Sequence, residues 1–157
     1  MSQDSDTVRP SWIEYALKIA NVAALRSEDP FQQVGACLLR HDNSVAGVGY
    51  NGAPAGIEID WQNRDQRRVR VIHAEVNALR YTEPGECYLL ASTLLPCNDC
   101  LKSIATYGIK HVAFNEVYNR DKSSLIMAKE FGITLYATPL AQTSMSSGYD
   151  IERIDAF

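Results

Sequence analysis

The pattern of apolar and polar positions predicts an alternation of helices and strands. Apolar residues from Trp12 to Ala24 recur at helical spacing behind Ser11, which can cap the first turn, so we expect a helix over residues 11–26. Helical spacing returns at residues 73–81, 97–107 and 122–131. Short apolar runs predict five strands, at residues 34–39, 44–50, 87–91, 111–114 and 133–136. Such alternation predicts an α/β domain whose sheet is covered by helices on both faces.

The two segments between the second strand and the next helix differ in character. Residues 51–56 combine Asn51 and two glycines with a proline, which indicates a sharp turn or a close approach to a ligand, so this is a candidate substrate loop. Residues 58–70 are polar and carry four arginines, which is typical of an exposed excursion on solvated surface.

Two short motifs carry the chemistry of the chain. His73 and Glu75 open one predicted helix, and Cys97 and Cys100 open the next, where the positive end of the helix dipole favours thiolate over thiol. One imidazole and two thiolates fill three positions of a tetrahedral zinc ion and leave the fourth open, as a catalytic zinc requires. Glu75 is not needed as a ligand, so we expect it to act as the proton carrier.

Other interpretations of these residues were weighed against a catalytic zinc. Cys97 and Cys100 alone could be a redox pair, half of a structural zinc site or core packing. A structural site needs a fourth ligand, but His41 falls in a predicted turn and His111 opens a predicted buried strand. The remaining cysteines, Cys37 and Cys87, lie in apolar runs and are predicted to fill core positions.

Composition and charge limit the class of protein. The 157 residues are 46% hydrophobic and 22% charged, which fits one domain spanning residues 1–157, with residues 1–10 and 138–157 at its periphery. No apolar run is long enough to cross a bilayer and the acidic opening is unlike a secretory signal, so we expect a cytoplasmic protein. A net charge of -4 disfavours nucleic acid as a partner and favours a small substrate.

Several segments of the chain resemble deoxycytidylate deaminases, which belong to the cytidine-deaminase-like superfamily of zinc enzymes. The His-x-Glu and Pro-Cys-x-x-Cys motifs are common to zinc nucleobase deaminases, whereas the Arg-Ser-x-Asp-Pro and Tyr-Asn-Gly-x-Pro segments are more selective. The resemblance covers most of residues 12–136. It is carried by residues 26–30, 33–36, 49–56, 73–78, 96–100 and 108–110.

This resemblance implies a fold, a reaction and partners. The implied fold is a three-layer αβα sandwich with a central mixed five-stranded sheet. The implied reaction is the hydrolytic deamination of dCMP to dUMP, which releases ammonia and feeds thymidylate synthesis, with one catalytic Zn²⁺ per subunit. The family also implies a homo-oligomer, either a hexamer or a dimer, and regulation by dCTP and dTTP as effectors. A second zinc is not expected, because no further Cys and His cluster accompanies the first.

The resemblance also implies roles for residues outside the zinc motifs. Asn51 would bind the sugar, and the backbone at Ala74 with the wall near Leu95 would hold the cytosine ring. The remaining substrate-binding candidates are Tyr118, which would stack on the base or close the core, Arg26 and Arg120 for the 5′-phosphate, and Ser27 as their helper.

Three rival functions share the metal motif. A tRNA adenosine deaminase should have a basic face. A deaminase of another cytosine nucleotide, of a nucleoside or of a free base would share the chemistry, and a phosphate site would penalise the unphosphorylated substrates among these. A zinc-stabilised binding module would tolerate the loss of Glu75 and would hold its zinc by four protein ligands.

Overall fold

A computed structural model describes residues 8–117 and 123–138, together with the backbone of 151–153. The polypeptide forms five helices and six strands in these ranges. The helices are α1 (Trp12–Ala24), α2 (Arg64–Arg70), α3 (Ala74–Leu79), α4 (Asn98–Thr106) and α5 (Ser123–Glu130). The strands are β1 (Gly35–Arg40), β2 (Val45–Tyr50), β3 (Cys87–Leu94), β4 (His111–Glu116), β5 (Thr134–Ala137) and β6 (Ile151–Arg153).

The strands form one mixed sheet in the order β2-β1-β3-β4-β5-β6. β1 pairs antiparallel with both β2 and β3, whereas β3, β4, β5 and β6 run parallel. All five predicted strands are present, so the predicted mixed sheet is confirmed. The sequence analysis did not predict β6, a three-residue edge strand that belongs to the segment expected at the periphery.

Helices cover both faces of the sheet, which confirms the three-layer arrangement. Among the described helices, α1 is the one that packs on one face, where Ile13, Ala16 and Ala20 are fully buried against the strands. α3, α4 and α5 share the other face and form the larger core, centred on Phe114. Cys37 and Cys87 are buried in these cores, as the sequence predicts.

α3 lies unusually close to the edge strand β2. A Cβ atom at Gly49 would lie 2.5 Å from the backbone nitrogen of Ala78 and 2.7 Å from the carbonyl oxygen of Ala74. Only a glycine permits this approach, because those distances are shorter than a carbon side chain tolerates. The contact fixes the height of α3 over the sheet, and α3 begins immediately after His73.

The exposed excursion contains one helix that the apolar pattern did not reveal. α2 has no buried residue, and its N-cap Asn63 accepts a hydrogen bond from the backbone N–H of Gln66. An isolated antiparallel bridge closes the excursion, since the backbones of Gly52 and Ile72 exchange hydrogen bonds of 3.1 and 2.8 Å. No helix within the described ranges is both long and apolar enough to span a membrane.

Candidate metal centre and active-site cleft

Two helix starts bring the predicted metal ligands together. His73 is the N-cap of α3 and Cys97 is the N-cap of α4, and both have extended backbone conformations. Neither side chain caps its own helix, so each is available to face the other. The first turns of both helices carry unsatisfied N–H groups and positive dipole ends, which favour an anionic or metal-bound sulfur.

The three donor atoms have the spacing that one zinc ion needs. The His73 Nδ1 atom lies 3.2 Å from the Cys100 Sγ atom and 3.6 Å from the Cys97 Sγ atom, and all three donors lie within 4.8 Å of one another. Tetrahedral zinc with ordinary bond lengths separates its nitrogen and sulfur ligands by about 3.6 to 3.8 Å. The predicted ligand set therefore fits a single zinc ion, with Nδ1 as the histidine ligand.

The close approach of the three donor groups shifts the pKa of each of them. Hydrogen bonds from Cys100 and His73 lower the pKa of the Cys97 thiol to about 4, although burial opposes the shift. The pKa of Cys100 is raised because its thiol donates to Cys97 and is itself buried. The hydrogen bond to Cys97 raises the pKa of His73 against the effect of burial. Because metal ligands bind in their deprotonated forms, zinc binding at this cluster would release protons.

Glu75 lies beside the donors, in the first turn of α3, and is only 4% exposed. Burial raises the pKa of its carboxyl to about 7, while the partial charge of its own backbone N–H, the charge of His73 and a hydrogen bond from Cys100 act in the opposite direction. A carboxyl with a pKa near neutrality can both accept and release a proton. The structure thus places a carboxyl of near-neutral pKa close to the three donors, where the predicted role of Glu75 requires it.

A cleft of about 850 Å³ opens over this centre. Six of the predicted site residues line it, namely Asn51, His73, Ala74, Glu75, Leu95 and Cys97. Cys100 lies beneath it, 2% exposed. Other lining residues were not predicted as site residues, including Asp29, Phe31, Asn98, Arg64, Arg67 and Arg68. Asp29 and Asn98 lie in segments that carry the family resemblance, which was a usable signal, whereas no local signal placed the three arginines at the cleft.

Asn51 is held by the protein itself at the wall of the cleft. Its Oδ1 atom accepts from the Val34 backbone N–H at 2.8 Å, and its amide group donates to the Gln32 carbonyl at 2.8 Å and to the Asp29 carboxylate at 3.5 Å. Both amide hydrogens are therefore occupied, and Asn51 is only 7% exposed. One acceptor lone pair of Oδ1 remains for a ligand.

Arg26 and Ser27 are not among the lining residues of the cleft. Arg26 is exposed, with its guanidinium 6.0 Å from the centre of the Tyr50 ring. The Ser27 hydroxyl donates to the backbone carbonyl of Asn51 at 2.9 Å, so it anchors the first residue of the candidate substrate loop. Their roles in binding substrate stay predictions, and Tyr118 and Arg120 lie outside the described residues.

Comparison with known proteins supports the interpretation of this centre as a zinc site. The family model described as the cytidine and deoxycytidylate deaminase zinc-binding region matches residues 10–116. The chain belongs to this deaminase family. The matched range contains the three donors, so a family defined by zinc binding and a geometry that fits one Zn²⁺ agree.

Individual relatives of this deaminase chain are similar over most of its length. It is 39% identical to human deoxycytidylate deaminase over 114 residues, which are 66% of this chain and 64% of the human one. It therefore matches less than two thirds of that relative. Against deoxycytidylate deaminase of Mycobacterium phage D29 the identity is 36%, covering 68% of this chain and 95% of the phage protein.

A solved structure shows the same fold. The dCMP deaminase of the cyanophage S-TIM5 in complex with dCMP and dUMP is 27% identical to this chain, and the two structures superpose with a TM-score of 0.72. The match covers 83% of this chain and 99% of the phage chain. The mixed sheet flanked by helices is therefore the cytidine-deaminase-like fold.

Proposed function

We propose that this deaminase converts dCMP to dUMP by zinc-dependent hydrolysis with release of ammonia, and so supplies dUMP for thymidylate synthesis. The observation that carries the proposal is a buried Glu75 carboxyl beside three zinc-compatible donors at the base of a cleft. The names of the relatives support the choice of dCMP, and so does the dCMP and dUMP complex of the similar phage enzyme.

The residues of the centre divide the work of the reaction. His73, Cys97 and Cys100 would hold a zinc ion, which supplies the Lewis acidity that makes water nucleophilic at neutral pH. Glu75 accepts the proton of the water that adds to the amidine carbon. It then passes protons to the ring nitrogen and to the amine, which leaves as ammonia. The wall formed by Ala74 and Leu95 keeps the cytosine ring against these groups.

Recognition of the sugar is part of the same proposal. The free lone pair on the Oδ1 atom of Asn51 can accept a hydrogen bond from a sugar hydroxyl. Because three protein contacts hold this amide in place, it would meet the sugar without losing side-chain freedom on binding. Ser27 contributes by fixing the Asn51 backbone.

The proposal extends to assembly, regulation and location. We expect a homo-oligomer, a hexamer or a dimer, with dCTP as activator and dTTP as inhibitor. We place the protein in the cytoplasm, because Cys97 and Cys100 bind metal only as reduced thiolates.

A substrate panel tests the proposal. Zinc-loaded protein is assayed for ammonia release from dCMP, CMP, dCTP, deoxycytidine and cytosine, with and without dCTP and dTTP as effectors. We expect the highest kcat/KM for dCMP. An absence of ammonia from every cytosine compound would overturn the deaminase assignment. Equal kcat/KM for dCMP and deoxycytidine would overturn the assignment of the nucleotide as substrate.

A further inference from the structure

Helix α2 borders the cleft although nothing in the core holds it there. None of its seven residues is buried, yet Arg64, Arg67 and Arg68 all line the cleft that also contains His73 and Glu75. A short polar helix gains little from burial or from helix propensity, so its stability must come from specific contacts.

Arg67 supplies the contacts that hold α2 against the cleft. Its guanidinium lies 4.2 Å from the centre of the Phe31 ring and donates a hydrogen bond of 2.7 Å to the carbonyl of Trp61. Phe31 is itself a lining residue, which remains 56% exposed. The stacked pair therefore fixes the orientation of α2 at the rim.

Arg64 and Arg68 occupy the positions on either side of this anchor. They are four residues apart, so they are neighbours on one face of the helix. Both are exposed, and neither forms a hydrogen bond or ion pair with another residue in the described ranges. Two guanidinium groups at the rim of the cleft thus lack a protein partner among the described residues.

Such an arrangement carries an electrostatic cost in the free protein. Like charges four residues apart on a helix repel each other, and an anion held between them removes that repulsion. A guanidinium group can donate two parallel hydrogen bonds to the oxygen atoms of a phosphate, which is the anionic group of a nucleotide. Arg68 lies in the last turn, near the negative end of the α2 dipole, but Arg70 also lies there, and Arg64 begins the helix at its positive end.

We infer that Arg64 and Arg68 recognise the 5′-phosphate of the nucleotide and so set the preference for nucleotide over nucleoside. The inference rests on the proposed function, because it takes a cytosine nucleotide as the occupant of the cleft. It assigns recognition to residues that the sequence analysis treated as solvated surface. Arg26, the earlier candidate, lies beside Tyr50 and outside the lining of the cleft.

The chain offers a matched control for this inference. Arg70 is an exposed arginine of the same helix, shares the last turn with Arg68 and does not line the cleft. The variants Arg64→Gln, Arg68→Gln and Arg70→Gln each remove one positive charge from α2. They differ only in whether the lost guanidinium faces the cleft.

The test measures the ratio of kcat/KM for dCMP to kcat/KM for deoxycytidine in each zinc-loaded variant. We expect Arg64→Gln and Arg68→Gln each to lower this ratio about tenfold, mainly through the KM for dCMP. Arg70→Gln should keep the ratio of the unsubstituted protein. Calorimetric titration with dUMP and with deoxyuridine should show the same loss for the phosphorylated ligand, without depending on turnover.

The outcomes separate the two proposals. If the unsubstituted protein turns over dCMP and all three variants keep its selectivity ratio, the inference about α2 is wrong and the proposed function stands. If the unsubstituted protein releases no ammonia from dCMP, the proposed function itself fails. Loss of binding to a short RNA oligonucleotide in Arg64→Gln and Arg68→Gln, with an unchanged selectivity ratio, would overturn the inference in favour of a polynucleotide site.

Discussion

Glu75 illustrates how position gives one carboxyl group a task that its chemistry alone does not. Most glutamates are exposed and ionised at neutral pH, but Glu75 is buried at the start of α3, where burial raises its pKa to about 7. The neighbouring imidazole and thiols form the donor cluster that fits a metal ion, so in the proposed reaction Glu75 is the group left to exchange protons.

Replacing this carboxyl with an amide should separate catalysis from metal binding. Glu75→Gln keeps the volume of the side chain but cannot carry a proton, so we expect deamination of dCMP to fall by about 10³-fold. Zinc content by atomic emission and the thermal melting curve should match those of the unsubstituted protein. Retention of full activity would contradict the role, and loss of zinc would show that Glu75 is a ligand.

Two buried cysteines, one inside the donor cluster and one outside it, allow a direct test of the ligand set. Cys100 and Cys87 are each 2% exposed, but only Cys100 belongs to the donor cluster. Cys100→Ala should reduce zinc to well below one ion per chain, because a tetrahedral site cannot spare one of its three protein donors. Cys87→Ala should keep its zinc, as measured after gel filtration with a weak chelator. Equal zinc content in the two variants would refute this ligand set.

At this scale the sequence reveals the parts of the site that depend on short spacing. Cys97 and Cys100 lie three residues apart at a helix start, so local geometry alone makes them converge. The approach of His73 to them depends on the packing of two helices on one face of the sheet, and family resemblance supplied that information. Nothing local indicated that Arg64 and Arg68 would face the cleft, because their position depends on a contact between Arg67 and the distant Phe31.

Elements position the site through their ends and their close contacts. Both α3 and α4 begin at a metal donor, so any shift of either helix changes the distance between His73 and Cys97. The approach of α3 to Gly49 limits such shifts on one side. Strands were predictable because buried runs are apolar throughout, whereas α2 has no apolar stripe and β6 has only three residues.

A methyl group at Gly49 should disturb the site through α3. Gly49→Ala forces the backbone of α3 away from β2, which should lower the free energy of unfolding by about 1 to 3 kcal/mol. Zinc affinity should fall with it. Gly52→Ala is the control, since a Cβ atom there meets nothing within 4 Å. Chemical denaturation of both variants gives the comparison, and equal stability would show that α3 is free to adjust.

At the scale of the whole molecule, the metal centre joins elements that are distant in the chain. The ligands come from two helices separated by β3, and both helices pack on the same face of the sheet. α1 is the helix that covers the opposite face within the described part of the chain, and it contains none of the three donors. Binding of zinc would therefore stabilise the layer that contains the site.

Removal of zinc should lower the melting temperature. A ligand that binds only the folded state at about a hundred times its Kd adds roughly 3 kcal/mol, which corresponds to a shift of roughly 5–10 °C for a chain of this size. Calorimetry with and without a strong chelator measures the shift. The Cys100→Ala variant should show no such change, and an equal shift in that variant would mean that the chelator acts elsewhere.

The bridge between Gly52 and Ile72 has a consequence for how proteins of this family can diversify. Its two hydrogen bonds join the ends of the excursion just before His73. The length and sequence of the segment between them should therefore have little effect on the position of His73. The segment from 53 to 71 can therefore be replaced without changing the positions of the metal donors. Grafting another such segment should change which group attached to the cytosine base is recognised, while the reaction at the cytosine ring stays the same.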